Sequence, residues 1–165
     1  MRRKIQVEGL LPEGARVIYK QGNEFTNAAI YDLEASLVCE GYYVKTLYAT
    51  LTIKKIEYDF SKVRFDDYTS VYTGGEIENK VSGELPEGLT VYYKIKNLET
   101  GDIGDGYSAV ESGEYEITAN FINKDSKNHI DPNPITKKLI IDKAEYDVSN
   151  FALINDSLVY DGGYH

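Results

Sequence analysis

The amino-acid sequence predicts an all-β chain of tandem modules, and three observations carry that expectation. Aromatic usage is the first: 15 Tyr stand against 5 Phe and no Trp, with 14 Gly and only 4 Pro. Tyr, Val, Ile and Thr gathered in short runs between Gly, Asn and Asp suit a pleated, half-buried surface. Alternation is the second. In Glu114-Tyr115-Glu116-Ile117-Thr118-Ala119-Asn120-Phe121 the apolar residues fall on one face and most polar ones on the other, which is the period of a strand. The same period of two runs through 48–53 and 89–93, and no apolar stripe is sustained at helical spacing. The third observation is that the chain repeats itself, which is the mark of an array.

The elements follow in order. Leu11-Pro12-Glu13-Gly14 is a turn, because Pro presets φ near −65° and Gly supplies the positive φ beyond it. Val17 and Tyr19 open the strand after it, and the set recurs as Leu85-Pro86-Glu87-Gly88, Val91 and Tyr93. A sortase signal is excluded here: the Thr of Leu-Pro-x-Thr-Gly is missing, both copies are internal, and no apolar tail follows. The strand at 30–37 matches 114–121. Ile53-Lys54-Lys55-Ile56-Glu57-Tyr58-Asp59-Phe60-Ser61 then matches Ile141-Asp142-Lys143-Ala144-Glu145-Tyr146-Asp147-Val148-Ser149, and Val71-Tyr72-Thr73-Gly74-Gly75 matches Val159-Tyr160-Asp161-Gly162-Gly163. The offset grows from 74 (9 to 83) to 84 (31 to 115) to 88 (53 to 141). Two insertions therefore lie in the second copy, around 98–106 and 123–134. The predicted organisation is the C-terminal part of one module at 1–57, a complete module at 58–145, and the opening strands of a third at 146–165, with the junction near 54–60.

Chemistry-bearing residues are few. With 18 Lys+Arg against 27 Asp+Glu, the 165-residue chain has a formal charge of −9; it repels phosphate backbones, so nucleic acid is not an expected partner. No apolar run is long enough to span a bilayer, so no membrane partner is expected and the chain reads as soluble. Met1-Arg2-Arg3-Lys4 resembles the basic start of an export signal, but no apolar region follows it and no such signal is read. A single cysteine, Cys39, excludes an internal disulfide and a Cys-based zinc cluster. Cys39 aligns with Asn123 in the second copy and has no His near it in sequence, so it reads as a half-buried spectator. His129 reads as a solvated loop residue, and His165 is the last residue of the sequence.

The blocks Val71-Tyr72-Thr73-Gly74, 83–93, 113–119 and Leu139-Ile140-Ile141-Asp142-Lys143-Ala144 together resemble the tandem β-repeat modules, often labelled MBG domains, of large bacterial surface proteins. The resemblance covers essentially the whole chain; the first copy departs from it with Ala29 in place of Gly113 and a shorter central segment. It implies an immunoglobulin-like sandwich, exposure on the bacterial cell surface, a place in a stalk or adhesin, and no catalytic residues.

Individual positions refine this expectation. Glu111-Ser112-Gly113-Glu114-Tyr115 is similar to the tyrosine corner of sandwich domains, in which a Tyr hydroxyl reaches back to upstream backbone. Tyr115 and its counterpart Tyr31 are then structural; the competing reading is an exposed, ligand-stacking Tyr. Asp102 and Asp105 in the first insertion, with Asp125 and Asp131 in the second, could gather carboxylates for Ca²⁺. Their spacing is not that of an EF-hand, and solvated acidic turns are the simpler reading. Asn155-Asp156-Ser157 matches a glycosylation sequon but is not expected to be modified in a bacterial setting. Lys–Asn isopeptide crosslinks occur in surface proteins of this kind, but the acid they need cannot be placed from sequence.

The expected function is a non-catalytic spacer whose neighbours are further repeats of the same protein. The alternative is an adhesin module binding a glycan or host protein through the loops near 97–106 and 123–134, with Asp102, Asp105 and Tyr107 as its contacts. The ends are also expected to be complementary. Phe151, Leu153, Val159 and Tyr160 repeat apolar positions of the strands that 63–77 supply to the complete module, which points to head-to-tail self-association.

Overall fold

The computed structural model describes residues 3–153. Among the described residues all regular structure is strand, and no helix is long and apolar enough to cross a membrane. Among the described residues the strands fall into two sets with no ladder between them, a first unit and a second. The first holds β1 (Arg3–Lys4), β2 (Arg16–Tyr19), β3 (Glu24–Phe25), β4 (Ala29–Val38) and β5 (Lys45–Ile53). Its antiparallel sheet has the order β2-β4-β5, and β1 pairs with β3 in a short ribbon. The second unit holds β6 (Val63–Arg64), β7 (Tyr68–Val71), β8 (Ile77–Glu78), β9 (Ser82–Gly83), β10 (Leu89–Asn97), β11 (Ile103–Asp105), β12 (Ser108–Ala109), β13 (Gly113–Asn123) and β14 (Ile135–Asp142). Its main sheet runs β11-β10-β13-β14-β7, with short ribbons β8–β12 and β6–β9.

The two units share one register. Val17↔Leu37, Tyr19↔Ala35 and Tyr31↔Leu51 in the first become Val91↔Phe121, Tyr93↔Ala119 and Tyr115↔Leu139 in the second. The ribbons agree as well: Lys4↔Glu24 answers to Glu78↔Ser108. A one-residue slip would turn every apolar side chain to the other face, so this agreement ties both units to one hydrophobic pattern. The insertion at 98–106 is more ordered than its Gly-rich sequence suggests. The Asn97 side chain accepts the amides of Glu99 and Thr100 (2.9 and 3.1 Å), and the chain returns as β11 along the edge of β10.

The core lies on one face of the five-stranded sheet. Ile117, Ala119 and Leu139 are fully buried there and Ile141 nearly so, while Phe65 and Ile77 cover them from the shorter segments. Strand β7 is the exception to antiparallel pairing. It lies parallel to β14, from Leu139↔Tyr68 to Asp142↔Val71, and the Tyr72 amide extends the ladder to Asp142 O at 2.8 Å. The connection from β7 to β14 supplies the crossover that a parallel pair requires, and 58–72 passes from the β6–β9 ribbon to the edge of the main sheet. In passing it lays Phe65 over the core and brings the Lys62 carbonyl against Gly83. A Cβ at Gly83, whose φ is +89°, would overlap that carbonyl.

Asn79 is the buried polar residue of this arrangement. Its Nδ2 donates to Asp66 O and Lys138 O, both at 3.0 Å, and so ties the crossing segment to β14. Removing the buried amide leaves two part-buried bonds unmade, at the cost of the desolvation of the carbonyls left behind. We expect Asn79→Ala to destabilise the second unit by about 1–3 kcal/mol in denaturant unfolding, with circular dichroism of the native state unchanged.

Candidate functional site

The positions singled out by sequence fall in three places: two tyrosine corners, the 97–107 edge, and the junction between units. At the corners, the Tyr115 hydroxyl donates to Glu111 O at 2.9 Å and the Tyr31 hydroxyl to Asn27 O at 3.0 Å, each spanning four residues. Tyr115 is buried, whereas Tyr31 is half-buried and packs its ring on Phe25 at 4.4 Å. A second pair of tyrosines carries a bond that sequence reading missed. The Val7 amide donates to the Tyr19 hydroxyl (3.1 Å), and the Val81 amide to the Tyr93 hydroxyl (3.0 Å). The recurrence of Tyr at 19 and 93 was visible in the repeat; its backbone partner twelve residues upstream was not.

Along the 97–107 edge the polar groups are engaged locally. Asp102 accepts from the Thr100 hydroxyl at 2.7 Å, and Asp105 pairs with Lys94 at 2.6 Å. Tyr107 is half-buried, meets the Tyr93 ring edge-on at 5.1 Å, and carries the Lys80 ammonium 5.0 Å above its face. Its aromatic surface thus packs against the unit. The carboxylates of the second insertion lie elsewhere: Asp125 faces His129 and Asn128, and Asp131 accepts from Asn123. Among the described residues no group of three or more His, Cys, Asp or Glu side chains is placed to hold a metal ion.

The second insertion grips the junction. Asn128 Oδ1 accepts the Ala28 amide (2.9 Å), Asn128 O accepts the Ile56 amide (2.9 Å), and the Ile130 amide returns to Ile56 O (2.9 Å). Lys55 adds a bond to Ser126 O at 2.6 Å. His129 is not the solvated loop residue that sequence suggested. Its ring stacks on Tyr58 (4.3 Å between centroids, 14° between planes), and its Nδ1 lies 3.1 Å from Asp125. Tyr58 in turn donates to Asn123 Oδ1 at 2.6 Å. The cause is the bridge between Ile56 and His129, which brings together residues far apart in sequence. Burial, with Asp125 and Asp131 nearby, raises the Tyr58 hydroxyl above its ordinary pKa.

Chemically the arrangement is one of staples. His129, the histidine among the described residues, contacts a carboxylate and a phenol ring, and Cys39 Sγ points at Glu13 O at 3.5 Å. The Asn155-Asp156-Ser157 sequon, the block at 159–163 and His165 lie outside the described residues. Comparison with protein families, with curated proteins and with solved structures returned no match.

Two predictions follow from the corners. Truncating a buried aromatic costs about 3–5 kcal/mol, so Tyr115→Ala should nearly unfold the second unit, while Tyr115→Phe, losing one hydrogen bond, should cost about 1 kcal/mol. Thermal melts of the two variants against the parent check this. The second concerns alkali. Burial raises the Tyr93 and Tyr115 hydroxyls above the ordinary 10.0, so the folded chain holds these protons more firmly than the unfolded one. Stability from this source is intact below pH 10 and is lost as pH climbs through the raised values. Tyr115→Phe should therefore flatten the loss of stability above pH 10 in a pH series of urea midpoints.

Proposed function

We propose that the chain is a run of non-catalytic spacer repeats from a bacterial cell-surface protein, exposed outside the cell. Each repeat is an immunoglobulin-like sandwich that holds some other domain away from the wall. The repeats divide at 1–57, 58–145 and 146–165, and their partners are neighbouring repeats of the same protein. What supports this reading is the junction. Linker residues 54–57 contain no Gly or Ser hinge, and Ile56 is bonded on both sides to the second insertion, its amide donating to Asn128 O and its carbonyl accepting the Ile130 amide. The insertion that would serve a binding module as its recognition loop is spent here on fixing one unit to the next. A spacer needs stiffness between units, and a backbone-paired linker supplies it where a flexible linker would not. The net charge of −9 keeps such rods apart.

The test is rotational. In NMR relaxation the two units should tumble as one elongated body with a single anisotropic diffusion tensor. Asn128→Ala, which removes the bond to Ala28 and leaves both cores intact, should partly decouple them. Separate correlation times for the two units in the parent chain would overturn the spacer reading.

A further inference from the structure

In the second unit, residues 58–72 cover a face that the described residues of the first unit leave open. Phe65 is buried against the sheet, its ring 6.4 Å from that of Tyr93 and nearly perpendicular to it. The matching place in the first unit is a groove of about 300 Å³ lined by Val7, Tyr19, Leu33, Ala35, Leu47 and Ala49. Five of these answer directly to core or core-packing positions of the second unit: Val81, Tyr93, Ile117, Ala119 and Ile135. Along the groove, β5 pairs only with β4 among the described residues. Its outer edge, at Leu51, Thr52 and Ile53, corresponds to the Leu139-Ile140-Ile141 edge that β7 occupies in the second unit. Gly9 makes the same point. Nothing lies within 4 Å of a Cβ placed there, whereas at Gly83 the Lys62 carbonyl fills that space.

The segment that repeats 58–72 is 146–160, and its described part already holds the same local shape. Asp59 Oδ1 accepts the Ser61 amide at 2.9 Å, and Val63 N donates to Phe60 O at 2.9 Å. Asp147 Oδ1 accepts the Ser149 amide at 2.9 Å, and Phe151 N donates to Val148 O at 3.0 Å. Leu153, which stands where Phe65 does, is 97% exposed, and Phe151 is 80% exposed. A preshaped apolar segment and a matching open groove therefore sit on one chain.

We propose that residues 146–160 of one copy seat in the groove of a second copy, with Leu153 taking the place of Phe65 and 156–159 pairing along β5, so that copies join head to tail. The proposal rests on the tandem-repeat reading and extends it to the contact between molecules. A further fit supports this direction. The hollow at the end of the second unit, lined by Glu111, Ser112, Lys143, Ala144 and Tyr146, consists of the counterparts of Asn27, Ala28, Lys55, Ile56 and Tyr58, the residues at or beside the grip of the second insertion. The loop that would enter it from the incoming copy is the one between β4 and β5, where Tyr42 and Tyr43 are 71% and 102% exposed. The contact between copies would thus occupy the same place as the junction within one, through a shorter loop in which Asn128 and His129 have no counterpart.

The experiment is light scattering of the full chain from micromolar to millimolar concentration. A head-to-tail contact does not close, so the mean mass should climb past that of a dimer without levelling. Leu153→Asp and Phe151→Asp, both at exposed positions, should return it to 18.6 kDa with unchanged circular dichroism. A synthetic peptide of residues 144–165 should shorten the assemblies, and the same peptide carrying Leu153→Asp should not. A parent chain that stays monomeric and shifts no resonance of Leu33, Ala35 or Ala49 on peptide addition would overturn the proposal. So would a mass that levels at a dimer, or association indifferent to Leu153→Asp. Each of these failures leaves the relaxation test of the inner junction unaffected, so the spacer reading stands or falls separately.

Discussion

Everything in this chain depends on covering one face of a three-strand sheet. β2-β4-β5 and β10-β13-β14 are the same antiparallel unit in the same register, and each turns a row of apolar side chains to one side. Three strands cannot close that face by themselves. In the second unit Phe65 and Ile77 complete it, and Ile117, Ala119 and Leu139 lose all contact with solvent. In the first, Leu33 stays half-buried and Ala35 retains 8% exposure. Burying an aliphatic or aromatic side chain contributes about 1.5–3 kcal/mol, so a single covering residue decides much of the stability of a unit this small.

The two copies show how one scaffold tolerates different fillings. Phe25 stands in the first unit where Ala109 stands in the second, and the residue paired with it is Arg3 in the first and Ile77 in the second. The large apolar group has moved from one strand of the ribbon to the other. Both Phe25 and Ile77 are buried, so each ribbon keeps one large apolar side chain in its core. Asn79 shows the opposite case. Its two carbonyl partners come from Asp66, in the crossing segment, and from β14; in the first unit the position is Ile5. A buried amide is stable only where its partners are present, so the polar choice goes with the covered unit and the apolar choice with the open one.

Much of this was legible in the sequence, because repetition and alternation are properties of neighbouring residues. The order of matched blocks placed the strands, and the spacing of Tyr115 from Glu111 announced the reach of its hydroxyl. Contacts that cross between units were not legible. Nothing local tells that Tyr58 stacks on His129, or that Asn128 reaches Ala28 across 100 residues. The 98–106 insertion misled for a different reason: its Gly and Asp content is that of a loop, but one side chain, Asn97, closes a tight turn and lets the chain pair again. Composition does not distinguish a solvated loop from a hairpin tip when a single Asx bond decides between them.

The tyrosine content has a physical explanation in the ribbons. β1–β3 and β8–β12 are two residues long, too short to satisfy the backbone that follows them. Val7 and Val81 lie just past those ends, and their amides find the hydroxyls of Tyr19 and Tyr93. Tyr31 and Tyr115 do the converse service for the Asn27 and Glu111 carbonyls at the entrance to the long strands. Phe would fill the same space and leave those groups unpaired, at about 1 kcal/mol for each lost bond. Trp has a donor but no acceptor, so it could not receive the Val7 or Val81 amide. A chain with one cysteine cannot brace its sheets with an internal disulfide. Tyr joins core filling to backbone satisfaction in one side chain, and that accounts for its return at the same two positions of each repeat.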